Sequence, residues 1–83
     1  MEVLVTATAL ESYSKLPRSI QARMLQLVGR LERWPDVSGA KPLSGNLAGH
    51  FRLRTGDYRL QFRIERTCII VEQIGHRDGF YDE

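Results

Sequence analysis

One cysteine among 83 residues, three prolines and no apolar run long enough to cross a bilayer set the first limits. A lone thiol, Cys68, excludes an internal disulfide. It fits a reducing compartment, the cytoplasm, where Cys68 serves as a small buried hydrophobe in an apolar run. The N-terminus lacks the positive region and apolar stretch of a secretory signal, so no membrane role is expected. No His/Cys pattern has metal-ligand spacing and no glycine-rich loop could cradle a phosphate, so no metal or cofactor is expected. Repeats, low-complexity tracts and linkers are also missing. A chain of this length buries roughly 60–65% of its unfolded surface, enough for a single domain over residues 1–83 with one core.

What is present is a central block of positive charge. The net charge is only +2. Residues 41–66 nevertheless hold six basic residues (Lys41, Arg52, Arg54, Arg59, Arg63, Arg66) against Asp57 and Glu65, while residues 67–83 hold Arg77 against four acids. The block alternates with apolar residues from His50 to Arg59, as a strand does when successive side chains take opposite faces. His50, Arg52 and Arg54 then share one face, and Phe51 and Leu53 line the other. A cationic face on an apolar backing suits a polyanion, RNA before others. An ordinary half-buried hairpin with solvated arginines would show the same alternation.

The remaining elements follow from periodicity. Val3–Thr6 reads as a short strand, β-branched and apolar. Thr8-Ala-Leu-Glu11 has a capping-box pattern, predicting a helix to about Leu16. Pro17 suits the first turn of a second helix, in which Ile20, Met24, Leu27, Val28 and Leu31 form one apolar face. Pro35 disfavours helical geometry before it, so this helix should stop near Trp34, a lid on the core. Residues 35–47, with two prolines and two glycines, read as a loop. Strands at about 48–54, 58–65 and 68–75 follow, joined by Thr55-Gly56-Asp57 and a turn near Arg66-Thr67. Cys68–Ile74 is apolar on both faces, which places it centrally. The sum is an α+β fold of order βααβββ: two N-terminal helices on one face of a mostly antiparallel, twisted sheet, with the other face open and basic. Within it Asp57 is first a turn former, then a partner for an arginine, and Tyr58 packs with Leu60 and Phe62.

A last cluster, Gly75-His76-Arg77-Asp78-Gly79-Phe80-Tyr81, could bring Arg77 and Tyr81 to that face. Taken with Lys41-Pro-Leu-Ser-Gly45 and Phe51-Arg-Leu-Arg-Thr-Gly-Asp-Tyr-Arg59, it resembles the RelE/ParE superfamily of bacterial and archaeal toxins, across essentially the whole chain. The resemblance implies a type II toxin neutralised by a cognate antitoxin in a hetero-oligomer. In the RelE branch it implies an endoribonuclease that enters the ribosomal A site and cuts the mRNA being translated.

Metal-independent cleavage needs an acceptor for the ribose 2′ proton, a donor for the leaving oxygen and cations for the phosphorane. Arginine cannot be the base, but its fork suits phosphate, so Arg59 and Arg77 are expected to stabilise charge. Tyr81 matches the aromatic residue that the RelE branch carries after its C-terminal arginine; it could stack a base or exchange the 2′ proton. Well-known RelE members carry two lysines where His50 and Arg52 stand. His50 is the natural substitute in proton transfer, kept neutral by nearby Arg52 and Arg54, or equally a turn-entry residue bound only to phosphate. Arg52, Arg54, Lys41, His76 and Arg63 are candidate RNA contacts, with Arg63 and Arg66 steering docking from the rim and His76 first a surface or partly packed residue, then an RNA ligand. A ParE-like toxin that inhibits DNA gyrase by protein binding, without catalysis, is the alternative, as is a degenerate module that only binds its antitoxin.

Overall fold

The structure, a computed structural model, describes residues 1–80. Strand β1 (Glu2–Val5) leads into helices α1 (Ala7–Ser14) and α2 (Arg18–Leu31), then β2 (Lys41–Pro42), β3 (His50–Thr55), β4 (Tyr58–Glu65) and β5 (Cys68–His76). Short 3₁₀ turns occupy Gly45–Leu47 and Arg77–Gly79. The sheet order is β1-β5-β4-β3-β2. Only the β1–β5 pairing is parallel; β2–β3, β3–β4 and β4–β5 are antiparallel. The βααβββ order is therefore present, with one further short strand.

Both helices cover one sheet face, α1 against β5 and α2 against β3 and β4. The apolar stripe of α2 is the reason: Met24, Leu27 and Leu31 are buried with Leu53, Leu60, Phe62, Ile69, Val71 and Ile74. Trp34 closes this core, edge-on to Phe51 and Phe62 with ring centroids 4.8 and 5.4 Å away. Tyr58 packs against the core as well.

Four sequence expectations need correction. α1 is capped by Thr6, not Thr8; the Thr6 hydroxyl accepts from Ala9 N at 3.1 Å. Pairing with β5 ends at Val5 and Thr6 N still bonds Val71 O at 3.0 Å, so the chain must turn there, ahead of the capping-box pattern. The loop of residues 35–47 contains β2, whose Lys41 and Pro42 pair with Arg52 and Phe51. As an edge strand it tolerates a proline, which has no N–H to give. β4, not β5, is the middle strand, because β1 and β2 flank the meander on opposite sides. Cys68 is partly buried, not fully, and its thiol donates to Glu2 Oε1 at 3.5 Å. Desolvation pushes the Cys68 pKa up, and Glu2 adds to the shift.

Candidate functional site

The face turned away from the helices carries the predicted basic residues, and a cleft of about 410 Å³ opens at its β3 edge. β2 pairs with β3 only as far as Arg52, so the edge beyond it is uncovered. Among the described residues, Lys41, Arg52, Leu53, Arg54, Arg59 and Gly39 line the cleft. Arg54 and Arg59 are directly opposite one another on β3 and β4. Four of the candidate residues thus meet in one hollow large enough for a small ligand or a nucleotide unit.

The cations there are not equivalent. Arg54 and Lys41 are exposed. Arg52, expected on an open surface, is only 3% exposed. Its guanidinium lies 5.0 Å from the centroid of the Phe80 ring and donates from Nη2 to Gln61 Oε1 at 2.8 Å. Phe80 contributes to this burial: after the 3₁₀ turn at Arg77–Gly79 its ring lies against Gly75 and Arg52. Arg59 is 8% exposed and donates from Nη1 to Gly56 O at 3.1 Å. That anchor holds its fork beside the β3–β4 turn, where φ of +59° at Gly56 favours glycine.

Arg77 reaches the same turn, its N–H donating to Asp57 O at 2.7 Å. Its guanidinium, however, faces carboxylates, with Asp57 Oδ1 at 3.6 Å and Asp78 Oδ1 at 3.8 Å. Asp57 therefore holds an arginine as well as forming the turn. His76 sits outside the cleft, its Nδ1 accepting from Asp78 N at 3.2 Å and its ring edge-on to Tyr58. Tyr81, given a catalytic part by the sequence reading, lies outside the described residues.

A carboxylate missed by the sequence reading organises the other end of the face. Gln61 pairs with Gln73 and Phe62 with Val71, so Glu72 is the extra residue of a β-bulge. It accepts from Gln61 Nε2 at 2.9 Å and Arg63 Nη1 at 3.0 Å, and its Oε2 contacts His50 Nδ1. Burial works to raise the Glu72 pKa, but the hydrogen bonds from Gln61, His50 and Arg63 outweigh it and hold the group below the usual carboxylate value. Two expectations change with this. The charge nearest His50 is the Glu72 carboxylate, not Arg52 and Arg54. Arg63 is neutralised by Glu72 and by Glu65 at 3.1 Å, not presented freely to RNA. The only signal in the sequence was an acid interrupting an apolar strand.

With the geometry known, comparison with other proteins separates the possible families. The chain is 40% identical over 82 residues to Toxin RelG of Mycobacterium tuberculosis, covering 95% of this chain and 93% of that protein. The chain belongs to the RelE family of toxins. Toxin RelE of the same organism is 37% identical over 82 residues, covering 95% of this chain and 84% of that one. Among solved structures, the toxin–antitoxin complex RelBE2 of M. tuberculosis matches with a TM-score of 0.79 and 38% identity, covering 92% of this chain and 90% of that one. The isolated Escherichia coli RelE toxin shares the fold at 14% identity, with a TM-score of 0.75 over 90% of this chain and 82% of that one. No family model matches the chain. Among the described residues no helix is long and apolar enough to cross a membrane.

Proposed function

We propose that this RelE-family toxin is a ribosome-dependent endoribonuclease that cuts translated mRNA and is held inactive by a cognate antitoxin. The observation that carries the reading is the cleft in which Lys41, Arg52, Arg54 and Arg59 converge. Such a hollow concentrates positive potential where a phosphodiester would sit.

Division of labour follows burial. Exposed Arg54 and Lys41 take the flanking phosphates and bring the strand into register. Arg59 is already fixed by Gly56 O, so its remaining N–H groups meet the phosphorane without reorganisation. Arg77 joins by exchanging its exposed ion pairs, worth little in water, for RNA phosphate. His50 is the proton acceptor, and Tyr81 stacks a base or exchanges a proton. The antitoxin neutralises the toxin by covering the basic cleft, and ribosome docking presents the mRNA to it.

Primer extension on translated mRNA tests the reading. Codon-positioned cuts should appear only with translating ribosomes and fall about 100-fold or more in Arg59→Ala, the usual loss for one preorganised charge contact. Intact mRNA accompanied by gyrase-linked DNA breaks would refute it.

A further inference from the structure

Resting on the nuclease reading, we propose that Glu72 is a positioning residue that fixes the tautomer of His50 and turns its Nε2 into the proton acceptor. The geometry is a chain of hydrogen bonds whose direction can be assigned group by group. Arg52 can only donate, so the oxygen of the Gln61 amide must face it, as it does at 2.8 Å. The Gln61 nitrogen is thereby turned to Glu72, where it donates to Oε2 at 2.9 Å. Glu72 is held ionised by its partners, so its oxygens only accept. The remaining partner of Oε2, His50 Nδ1, must therefore carry the hydrogen. A neutral imidazole with hydrogen on Nδ1 has its lone pair on Nε2.

The bulge makes this possible. An inserted residue aims the Glu72 carboxylate across β4 to β3, where a regular strand would have left Gln61 and Arg63 flanked by other side chains. Arg63 occupies the second oxygen, Oε1, at 3.0 Å, which stops the carboxylate from rotating away. His50 lies outside the cleft lining, two positions from Arg52 on β3, so the scissile phosphate must sit at the Arg52 end of the cleft for Nε2 to reach its 2′-hydroxyl.

In the reaction the 2′ oxygen bonds to phosphorus while the bond from phosphorus to the 5′ oxygen breaks. The 2′ proton passes to His50 Nε2, and the departing 5′ oxygen takes a proton from water, whose hydroxide recovers one from the imidazolium. The products are a 2′,3′-cyclic phosphate and a 5′-hydroxyl. Glu72 faces the imidazolium so formed and returns it to the same orientation when the proton leaves, as the buried carboxylate does for the histidine of a hydrolase triad.

Two readouts test the proposal. Nitrogen-15 NMR of the free protein at about pH 9, where an imidazole is neutral, should find the His50 hydrogen on Nδ1, and that preference should be lost in Glu72→Gln. Single-turnover cleavage by Glu72→Gln should slow about 100-fold with ribosome affinity changed less than about threefold, within the usual range for general-base loss. Glu72→Asp, which keeps a carboxylate, should cut at least about tenfold faster than Glu72→Gln. Hydrogen on Nε2 in the wild type, or Glu72→Gln cutting at the wild-type rate with an unchanged melting curve, would overturn it. Wild-type protein that leaves translated mRNA whole would refute the nuclease reading instead, and the tautomer would still report on the Glu72–His50 arrangement.

Discussion

Replacing Phe80 separates what holds the cleft wall from what merely covers it. The Phe80 ring is 4% exposed and stacks on Arg52, which is itself 3% exposed, with the guanidinium 5.0 Å from the ring centroid. A desolvated cation–π contact of this kind contributes about 2 kcal/mol. Phe80→Leu keeps most of the buried apolar volume and loses only the ring's negative face, so it should cost about 1–2 kcal/mol. Phe80→Ala loses the burial too. Large-to-small changes in a closed core cost about 3–5 kcal/mol, and a residue at the end of a short turn belongs at the low end, near about 3. Urea unfolding read by circular dichroism measures both variants. In a chain of this length, about 1 kcal/mol corresponds to roughly 4–8 °C in melting temperature, so the two are resolvable by heating as well. Leucine indistinguishable from phenylalanine would show that the ring does not act on Arg52 through its charge distribution. Alanine within about 0.5 kcal/mol of wild type would refute any stabilising role for Phe80 packing on Arg52, since surface substitutions alone produce shifts that small.

Acid should destabilise the protein partly through Glu72. Its folded-state pKa lies below the ordinary 4.5, so its contribution is complete above that value and is lost as pH falls through the lower, folded-state one. Glu72→Gln should flatten this limb of a stability–pH curve, and an acid limb identical to wild type would disprove the assignment. The two hairpin turns should respond in opposite directions, because Gly56 has φ of +59° and Arg66 adopts +57° with a side chain. Gly56→Ala should lose about 1 kcal/mol and Arg66→Gly should gain up to about 1 kcal/mol in thermal melts, within the usual penalty for a left-handed side-chain residue. Matching signs for the two would contradict the turn geometry.

Most of the fold could be read from periodicity because its main apolar core lies on one side of the sheet. Met24, Leu27 and Leu31 on α2, and Leu60 and Phe62 on β4, repeat at helical and strand spacings, and all five are buried. Periodicity failed where an element was too short or broke its own repeat. Lys41–Pro42 is two residues long, below any repeat, and contains a proline that argues against a strand. Glu72 interrupts the alternation of β5 through the bulge, so its direction could not be derived from spacing. Arg52 was placed on the correct face, but its burial depends on Phe80 returning across the sheet, a contact between residues far apart in sequence. Local pattern identifies a face; it does not reveal what later covers that face.

The charge block of residues 41–66 illustrates the same distinction. Its excess of cations suggests a uniformly basic surface, yet the acids are placed to discharge one part of it. Glu65 and Glu72 neutralise Arg63, while Asp57 and Asp78 hold Arg77 outside the block. Among the described residues, no acid is within ion-pair distance of Lys41, Arg54 or Arg59. The positive field of a nearly neutral protein is thereby concentrated at the concave edge of β3. Removing charge elsewhere on the face lowers non-specific attraction without weakening the pull on a phosphate entering the cleft, since Coulomb interactions across solvent are screened beyond about 10 Å. Under the proposed nuclease reading, a small toxin of low net charge can therefore be selective in where it binds RNA.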